Sequence, residues 1–581
     1  MHFKRALSSA RPNLDDIHYL LRSQQVRQLV RQQLHLNRRA FRHLTQLFCC
    51  GRDLDFDDEA AVVSAFISFA KQFGKDQDVL DLTDLRSPSQ WYPLARSMKR
   101  DIILRCGPTN SGKTHNALKQ LEASTSGSYA GPLRLLAWEV HARLNHNRVA
   151  CDLVTGQEII EVDGAQHRSS TVEMTNVAQP IDCAVIDEIQ MIGDLNRGHA
   201  WTRALLGVPA QTVYLCGDES AIELIEEICD VNNDSLSVVK HERLGELRFV
   251  TPIRSLKELS PGDCLIAFSR NDILSLKAQV ERMTGRKVCV IYGNLPPATR
   301  QSQAALFNDP DSGYDILIAS DAIGMGLNLS IKRVIFSTIK KFDGKEVRRL
   351  TRSEILQIGG RAGRFNSQYP HGAVTCLMAS NRPRFDAEYL KQALLLKPDP
   401  IYQASLSPEF DAIQRFCDAK PYMQYHEVLR QFQRHSTLDG LYFMSDVIDD
   451  QAFIAEALQG LPLTLSQRHT FSMAPVSVRC RQEMRHLMAL AKDFCETHRS
   501  GLLFHSRAEA VLDGTRRDHL SLSNLELLSS LTDIYIWLGN RFPKEFHDFK
   551  RAQAIRDRLT GLINNGLETI GDRRFHRKPP I

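Results

Sequence analysis

Eight consecutive residues, Gly107, Pro108, Thr109, Asn110, Ser111, Gly112, Lys113 and Thr114, leave the chain little freedom in what it can build around them. They fit the spacing G-x-x-x-x-G-K-[ST] and stand between an apolar run, Ile102 to Cys106, and a stretch of helical texture. Glycines in such a loop let backbone N–H groups turn inward around phosphate oxygens, and the following helix aims its positive dipole end at the same place. The loop belongs at the end of a buried parallel strand, so an α/β sandwich is predicted. Lys113 would hold the β- and γ-phosphates and Thr114 the accompanying Mg²⁺. At ordinary glycine usage of ~7%, a chance match in a chain this long has a probability on the order of a few per cent. The flanking strand and helix lower it further.

Farther along, the apolar strand Ala184 to Ile186 ends in Asp187, Glu188, Ile189 and Gln190. A lone Asp-Glu pair is usually a solvated loop. Behind a buried strand and downstream of a phosphate loop, it has a chemical role: Asp187 to bind Mg²⁺ through water, Glu188 to orient and polarise a water for in-line attack on phosphorus. A third strand, Val213 to Cys216, runs into Gly217, Asp218 and Glu219, which by themselves read as a turn.

The strand texture then restarts, with runs at Cys264 to Phe268, Val288 to Ile291, Ile316 to Ala319 and Val334 to Phe336. Two α/β units in tandem are therefore predicted. In the second, Gln357-Ile-Gly-Gly360-Arg361-Ala-Gly363-Arg364 sets two arginines three residues apart among glycines. Such arginines can reach across a cleft and neutralise charge developing on a γ-phosphate, a role worth roughly 10³–10⁵ in rate. The competing reading is a basic helix cap or a contact to a phosphate backbone. Gln357 opens this motif and is grouped with the catalytic residues. Just upstream, Ser320-Asp321-Ala-Ile-Gly324-Met-Gly326-Leu-Asn328 follows a strand, and its hydroxyl and glycines suit backbone donation to phosphate, with Gly326 expected at the nucleotide.

Length and composition bound the rest. A chain of 581 residues accommodates about three or four domains. No apolar run approaches the roughly 20 residues that cross a bilayer, so a soluble protein without a membrane partner is expected. A net charge of +5 with pI ≈ 8.5 permits a polyanionic partner without requiring one. The 13 cysteines include no C-x-x-C and no zinc-like spacing, which predicts reduced, mostly buried thiols. Helical spacing from Asp15 to Phe73, a turn-like segment from Ser87 to Tyr92, and fading strand signals after Asp386 divide the chain. The expected parts are a helical domain over 1–97, α/β units over 98–240 and 241–385, and a helical domain over 386–581. In the last, Leu525, Leu528, Leu531, Ile534, Leu538 and Phe542 keep a three-or-four spacing that stops at Pro543. The first dozen residues carry Lys4, Arg5 and Arg11 and no acid, the composition of a transit peptide or of a frayed basic terminus.

The order GPTNSGKT, DEIQ, GDES, SDAIGMGLN, QIGGRAGRF is that of superfamily 2 helicases. The stretches YPLARSMKRDIILRCGPTNSGKT, CDLVTGQE, DEIQMIGD, AWTRALLG, FSRNDI, LPLTLSQRHTFSMAPV and IYIWLGNRFPKEF resemble the mitochondrial degradosome RNA helicases of the suppressor-of-Var type. The likeness runs from about residue 13 to 565. It implies a multidomain α/β protein, with two tandem RecA-like P-loop domains flanked by helical N-terminal and C-terminal domains. It also implies ATP-dependent unwinding of RNA and RNA:DNA duplexes with 3′ to 5′ polarity, in mitochondrial RNA turnover and surveillance.

The implied cofactors are ATP, with other nucleoside triphosphates as alternatives, and Mg²⁺ or Mn²⁺. The implied partners are single-stranded RNA, RNA duplexes, DNA in some settings and an exoribonuclease. The implied place is the mitochondrial matrix, with nucleus and cytoplasm as alternatives. Lys113, Thr114, Asp187, Glu188, Arg361 and Arg364 take the nucleotide roles, and the GDE turn senses nucleotide state. Strand contacts are expected at the Pro132 to Ala137 turn, Thr155 and Gly156, Thr171 and Ser269. Two departures stand out: no upstream glutamine motif of the kind that reads adenine, and a short basic end, DRRFHRKPPI, where relatives often carry a longer tail. The rival functions are a DNA translocase with the same motor, since such units grip phosphates and sugars more than bases, and an inactive RNA-binding scaffold. Intact Lys113, Glu188 and both arginines weigh against the scaffold.

Overall fold

A computed structural model describes residues 79–344, 346–365, 367–378, 383–502 and 520–570, the side chains of 383–385 excepted. The helices expected between Asp15 and Phe73, the basic first dozen residues, Cys49, Cys50 and the basic end lie outside the described residues. The chain forms two compact units. One joins the residues up to 85 with 410–423 and 431–437; within it the rings of Phe416 and Phe432 pack at 5.7 Å and the Thr83 hydroxyl donates to the His435 carbonyl at 3.1 Å. The other unit holds everything that concerns the nucleotide.

In that unit the first sheet contains β1 (Asp101–Cys106), β2 (Gly127–Gly131), β3 (Cys151–Val154), β4 (Ile159–Ile160), β5 (His167–Thr171), β6 (Ile181–Asp187), β7 (Ala210–Gly217) and β8 (Ser235–Lys240). Their order is β4-β3-β5-β2-β6-β7-β1-β8, parallel except for the β3–β4 pair. Helices cover both faces, which is why β6 and β7 read as continuous apolar runs rather than alternating ones. The phosphate loop, the DEIQ segment and the GDE turn leave the carboxyl ends of β1, β6 and β7, three adjacent strands, where ligands of open α/β sheets gather.

The second sheet uses β9 (Leu247–Phe249), β10 (Asp263–Ile266), β11 (Lys287–Ile291), β12 (Tyr314–Ala319), β13 (Arg333–Phe336) and β16 (Gly372–Cys376), all parallel, in the order β11-β12-β10-β13-β16-β9. A hairpin, β14 (Lys340–Phe342) and β15 (Val347–Arg349), stands between β13 and the helix Arg352–Gly359. Both lobes thus follow the tandem α/β expectation. The boundary expected at 385/386 falls inside the helix Pro383–Leu395, whose buried Leu390 and Ala393 join the core of the second lobe. At the other expected boundary, Arg96 of the segment before β1 bonds Asp234 at 3.1 Å, so residues 86–97 pack with the first lobe.

Beyond the lobes, the predicted apolar spacing becomes the helix Leu522–Gly539, started by Ser521 accepting from the Asn524 N–H and ended before Pro543. This helix and Phe549–Glu568 bury Ile534, Leu538, Leu559 and Ile563 in one continuous cluster with Leu265, Val288 and Ile316 of the second sheet. Among the described residues eleven cysteines are unpaired, eight of them buried. No described helix is long and apolar enough to cross a membrane.

Candidate nucleotide site and nucleic-acid face

The phosphate loop folds back under the connection to the second lobe: a side chain at Gly107 would begin 2.3 Å from the His241 carbonyl oxygen, so only glycine fits. Lys113 opens the helix Lys113–Ala123 and is buried, its Nζ donating to the carbonyls of Gly107 and Pro108, both at 3.1 Å. The next residue, Thr114, donates from Oγ1 to Asp187 Oδ1 at 3.0 Å. Tyr129 on β2 donates from its hydroxyl to Asp187 Oδ2 at 3.1 Å, and Trp201 Nε1 donates to the Asp187 carbonyl at 2.9 Å. Burial pushes the Asp187 carboxyl above its ordinary pKa and the adjacent Glu188 adds to the effect, while Lys113 and the Thr114 hydroxyl oppose it.

Glu188 leaves β6 in the left-handed region, with φ 53° and ψ 50°, which turns its carboxylate away from the strand direction. A non-glycine residue held there stores strain of order 1 kcal/mol, tolerated where the surroundings over-determine the turn. Part of that determination is Gln190, whose Nε2 donates to Glu188 Oε2 at 2.5 Å and whose Oε1 accepts from the Asp218 N–H at 3.3 Å. Asp218 in turn accepts from the Ser220 N–H at 2.9 Å. The GDE turn is therefore wired to the carboxylate of Glu188 through one amide.

From the second lobe, the helix Arg352–Gly359 begins with a reciprocal cap between Thr351 and Glu354, and Gln357 on it faces the cleft. After the helix, Arg361 donates from Nε to the Gly324 carbonyl at 3.0 Å and from Nη2 to the same oxygen. Burial lowers the Arg361 pKa, and Glu188 and Asp187 act against that shift, so the guanidinium lies within the field of both carboxylates. Arg364 is exposed and donates to Asn328 Oδ1. Asn110 of the phosphate loop touches the arginine segment directly, donating to the Gly363 carbonyl at 3.2 Å and accepting from the Phe365 N–H at 3.3 Å. A cavity of about 460 Å³ opens between the lobes, with Lys113, Glu188, Asp218, Gln357 and Gly360 among its walls. Gly326, Arg361 and Arg364 are not among those walls; a side chain at Gly326 would begin 2.6 Å from Leu133 Cδ1, so it packs against the other lobe's Pro132 turn.

The expected strand contacts fare unevenly. Only Pro132 and Leu133 form the turn, because the helix Arg134–His146 has already begun and Ala137 is fully buried in it. Thr155 Oγ1 donates to the Glu158 carbonyl at 3.2 Å and accepts from its N–H at 3.0 Å; Thr171 is buried at the end of β5; Ser269 caps its helix by accepting from the Asp272 N–H at 3.0 Å. The Thr155 and Ser269 hydroxyls are engaged within their own lobes. What the sequence did not reveal is that the helix Leu522–Gly539 and its extension meet both lobes. Asp533 pairs with Arg134 at 3.7 Å, Arg541 donates to the Gly156 carbonyl at 3.3 Å while lying 3.5 Å over the Trp537 ring, and Glu526 pairs with Arg270 at 2.8 Å. The one available signal was the i, i+4 spacing of Trp537 and Arg541.

Comparison with known proteins agrees along the chain. Residues 88–241 match the DEXQ-box helicase domain of Suv3, 247–366 the helicase conserved C-terminal domain, 453–495 the Suv3 C-terminal domain 1, and 522–569 the ATP-dependent RNA helicase SUV3 C-terminal domain. The chain is 44% identical over 495 residues to the DExH-box ATP-dependent RNA helicase DExH16, mitochondrial, of Arabidopsis thaliana, covering 84% of either chain. It is 42% identical over 504 residues to the ATP-dependent RNA helicase SUV3, mitochondrial, of Oryza sativa subsp. japonica, covering 86% of this chain and 85% of that one. To the ATP-dependent RNA helicase SUPV3L1, mitochondrial, of Homo sapiens it is 39% identical over 519 residues, covering 87% and 65%. A phosphate loop, a carboxylate pair and paired arginines on two facing lobes, carried in a sequence this similar over most of its length, mean that the chain belongs to the Suv3 family of ATP-dependent RNA helicases.

Proposed function

We propose that the cleft hydrolyses ATP with Mg²⁺ and that lobe movement drawn from hydrolysis separates RNA strands with 3′ to 5′ polarity. The observation that carries this is one cavity walled by Lys113 and Glu188 of the first lobe and by Gln357 and Gly360 of the second, with Asn110 of the phosphate loop bonded to the Gly363 carbonyl beside Arg361. In this reading Gly107, Pro108, Thr109, Asn110, Ser111 and Gly112 wrap the phosphates, with Lys113 neutralising their charge. Glu188, steadied by Gln190, orients the attacking water and receives its proton. Arg361 and Arg364 stabilise charge on the transferring phosphoryl group, and Gln357 lines the wall beside it.

The donors fit a hard dication: the Thr114 hydroxyl and the Asp187 carboxylate are hydrogen-bonded oxygens, and Asp187 is buried with a like charge as neighbour. Those two residues would hold Mg²⁺, which supplies charge neutralisation between the phosphates when bound. The relatives above are named mitochondrial; the same location, and work beside an exoribonuclease in RNA turnover, are proposed for this chain.

The test is ATP hydrolysis and strand separation on duplexes with 3′ or 5′ overhangs, in RNA and in DNA of one sequence. Greater stimulation by RNA and unwinding only from 3′ overhangs are expected. Preferential stimulation by DNA would install the translocase reading instead, and no hydrolysis with either would leave the scaffold.

A further inference from the structure

Residues 241–246 connect β8 to β9 and are tied to both lobes by their backbone. The His241 N–H donates to the Cys106 carbonyl at 2.8 Å and Leu244 N–H to the Asn110 carbonyl at 3.0 Å, while the Glu246 carbonyl accepts from the Gly372 N–H at 2.8 Å. Arg243 sends its side chain from this connection into the cleft. Its Nη1 donates to the Thr109 carbonyl at 2.9 Å and the Gly360 carbonyl at 2.9 Å and lies 3.2 Å from Thr109 Oγ1. Its Nη2 donates to the Gly363 carbonyl at 2.9 Å and to that of Ala362. One planar group therefore grips the backbone of the phosphate loop and the backbone on either side of Arg361.

The fit is close, since a side chain at Gly360 would begin 2.0 Å from Thr109 Oγ1. Contrast Arg100, fully buried where Arg243 is half-buried, which is matched to the Asp234 carboxylate. The acceptors of Arg243 are carbonyls and a hydroxyl, its Nε has no acceptor among the described residues, and burial lowers its pKa to about 10. Taking even part of a cation out of water onto neutral acceptors alone is unfavourable, and an apolar side chain would fill the space without that cost. Packing does not account for the choice; a fork that spans two backbones does, because a lysine ammonium is a point donor that cannot hold both at once.

We propose that Arg243 is a positioning residue for hydrolysis, fixing Arg361 in register with the phosphate loop whenever the lobes are closed. This rests on the reading of Arg361 as the residue that meets the transferring phosphoryl group. The test is a double-mutant cycle in the full chain, with RNA-stimulated ATP hydrolysis measured for R243A, R361A and the double variant, alongside affinity for a non-hydrolysable ATP analogue. If Arg243 acts through Arg361, R243A loses roughly tenfold or more of kcat with KM for ATP within about threefold, R243K does not recover it, and the double variant is no slower than R361A. Wild-type kcat in folded R243A overturns the proposal, as does a double variant whose loss equals the product of the single losses. A rise in KM with unchanged kcat also overturns it, making Arg243 a nucleotide contact. Wild-type turnover in R361A would instead bring down the reading of the finger itself. Should R243A not fold, R243K and R243Q carry the same cycle.

Discussion

The two α/β lobes share a fold and divide the chemistry unequally. The first concentrates acid: Asp187 and Glu188 are held by hydroxyls and amides of their own lobe, and the one cation beside them, Lys113, is satisfied by loop carbonyls. The second contributes cations to the cleft, and Arg361 rests on the neutral carbonyl of Gly324 rather than on a carboxylate. A guanidinium parked on a carbonyl keeps its full charge for a phosphate, whereas one parked on a carboxylate would have to be stripped of a partner first. The lesson is that neither half is a complete site, and closure is what makes one.

The sharpest way to break that contrast is Arg361→Ala. If the second lobe supplies charge for the transition state alone, kcat falls by roughly 10³-fold or more while affinity for an ATP analogue stays within about threefold. Loss of binding in place of turnover would mean that the lobes share the ground state too. Glu188→Gln attacks the other side and keeps shape and volume; hydrolysis should fall by roughly 10²–10⁴ with nucleotide still bound, as seen by equilibrium titration. Normal turnover there would remove the acid half of the comparison.

Smaller is the effect of Glu354→Gln, which probes how the arginine helix is seated. Burial pushes the Glu354 carboxyl up, but hydrogen bonds from Arg348, Lys341 and the Thr351 N–H outweigh it and bring the pKa down to about 2. A carboxylate depressed from 4.5 contributes stability that is present above pH 4.5 and lost as pH falls towards 2. The variant should lose up to about 3 kcal/mol at pH 7, and its deficit against wild type should shrink in acid unfolding below pH 4.5. A deficit independent of pH would sink the account. The smallest effect belongs to Lys397→Ala: the Lys397–Glu219 pair at 2.9 Å joins the lobes but its lysine is solvent-exposed, so the melting temperature should not move. A shift of several degrees would show surface charge, rather than backbone-directed bonds, holding the lobes together.

The chemistry-bearing motifs were legible because their backbone demands are local. A phosphate loop needs glycines at fixed spacing, and a carboxylate at a strand tip needs an apolar run before it, so β1, β6, Lys113 and Asp187 could be located in one dimension. The tandem lobes and the helix Leu522–Gly539 followed from periodicity. Gly326 is less informative, because a glycine beside a motif says only that something approaches closely; here it is Leu133. The Pro132 turn was drawn too long because nothing in LRLLA marks where the helix begins when Leu133 lends no capping side chain. Arg243 carried no sequence signal, since its partners are 117 and more residues away and are plain carbonyls and a hydroxyl. Lone charged residues between motifs look solvated until the fold brings two backbones to them.

The helix Leu522–Gly539 is pinned to one lobe through Asp533 and Arg134 and to the other through Glu526 and Arg270. A rigid rod bolted to two bodies that move against each other cannot stay indifferent to their motion. Under the proposed lobe movement it must slide, tilt or let go at one bolt. An ångström-scale change around a phosphate would then become displacement along a rod of 18 residues, about 27 Å long at 1.5 Å per residue.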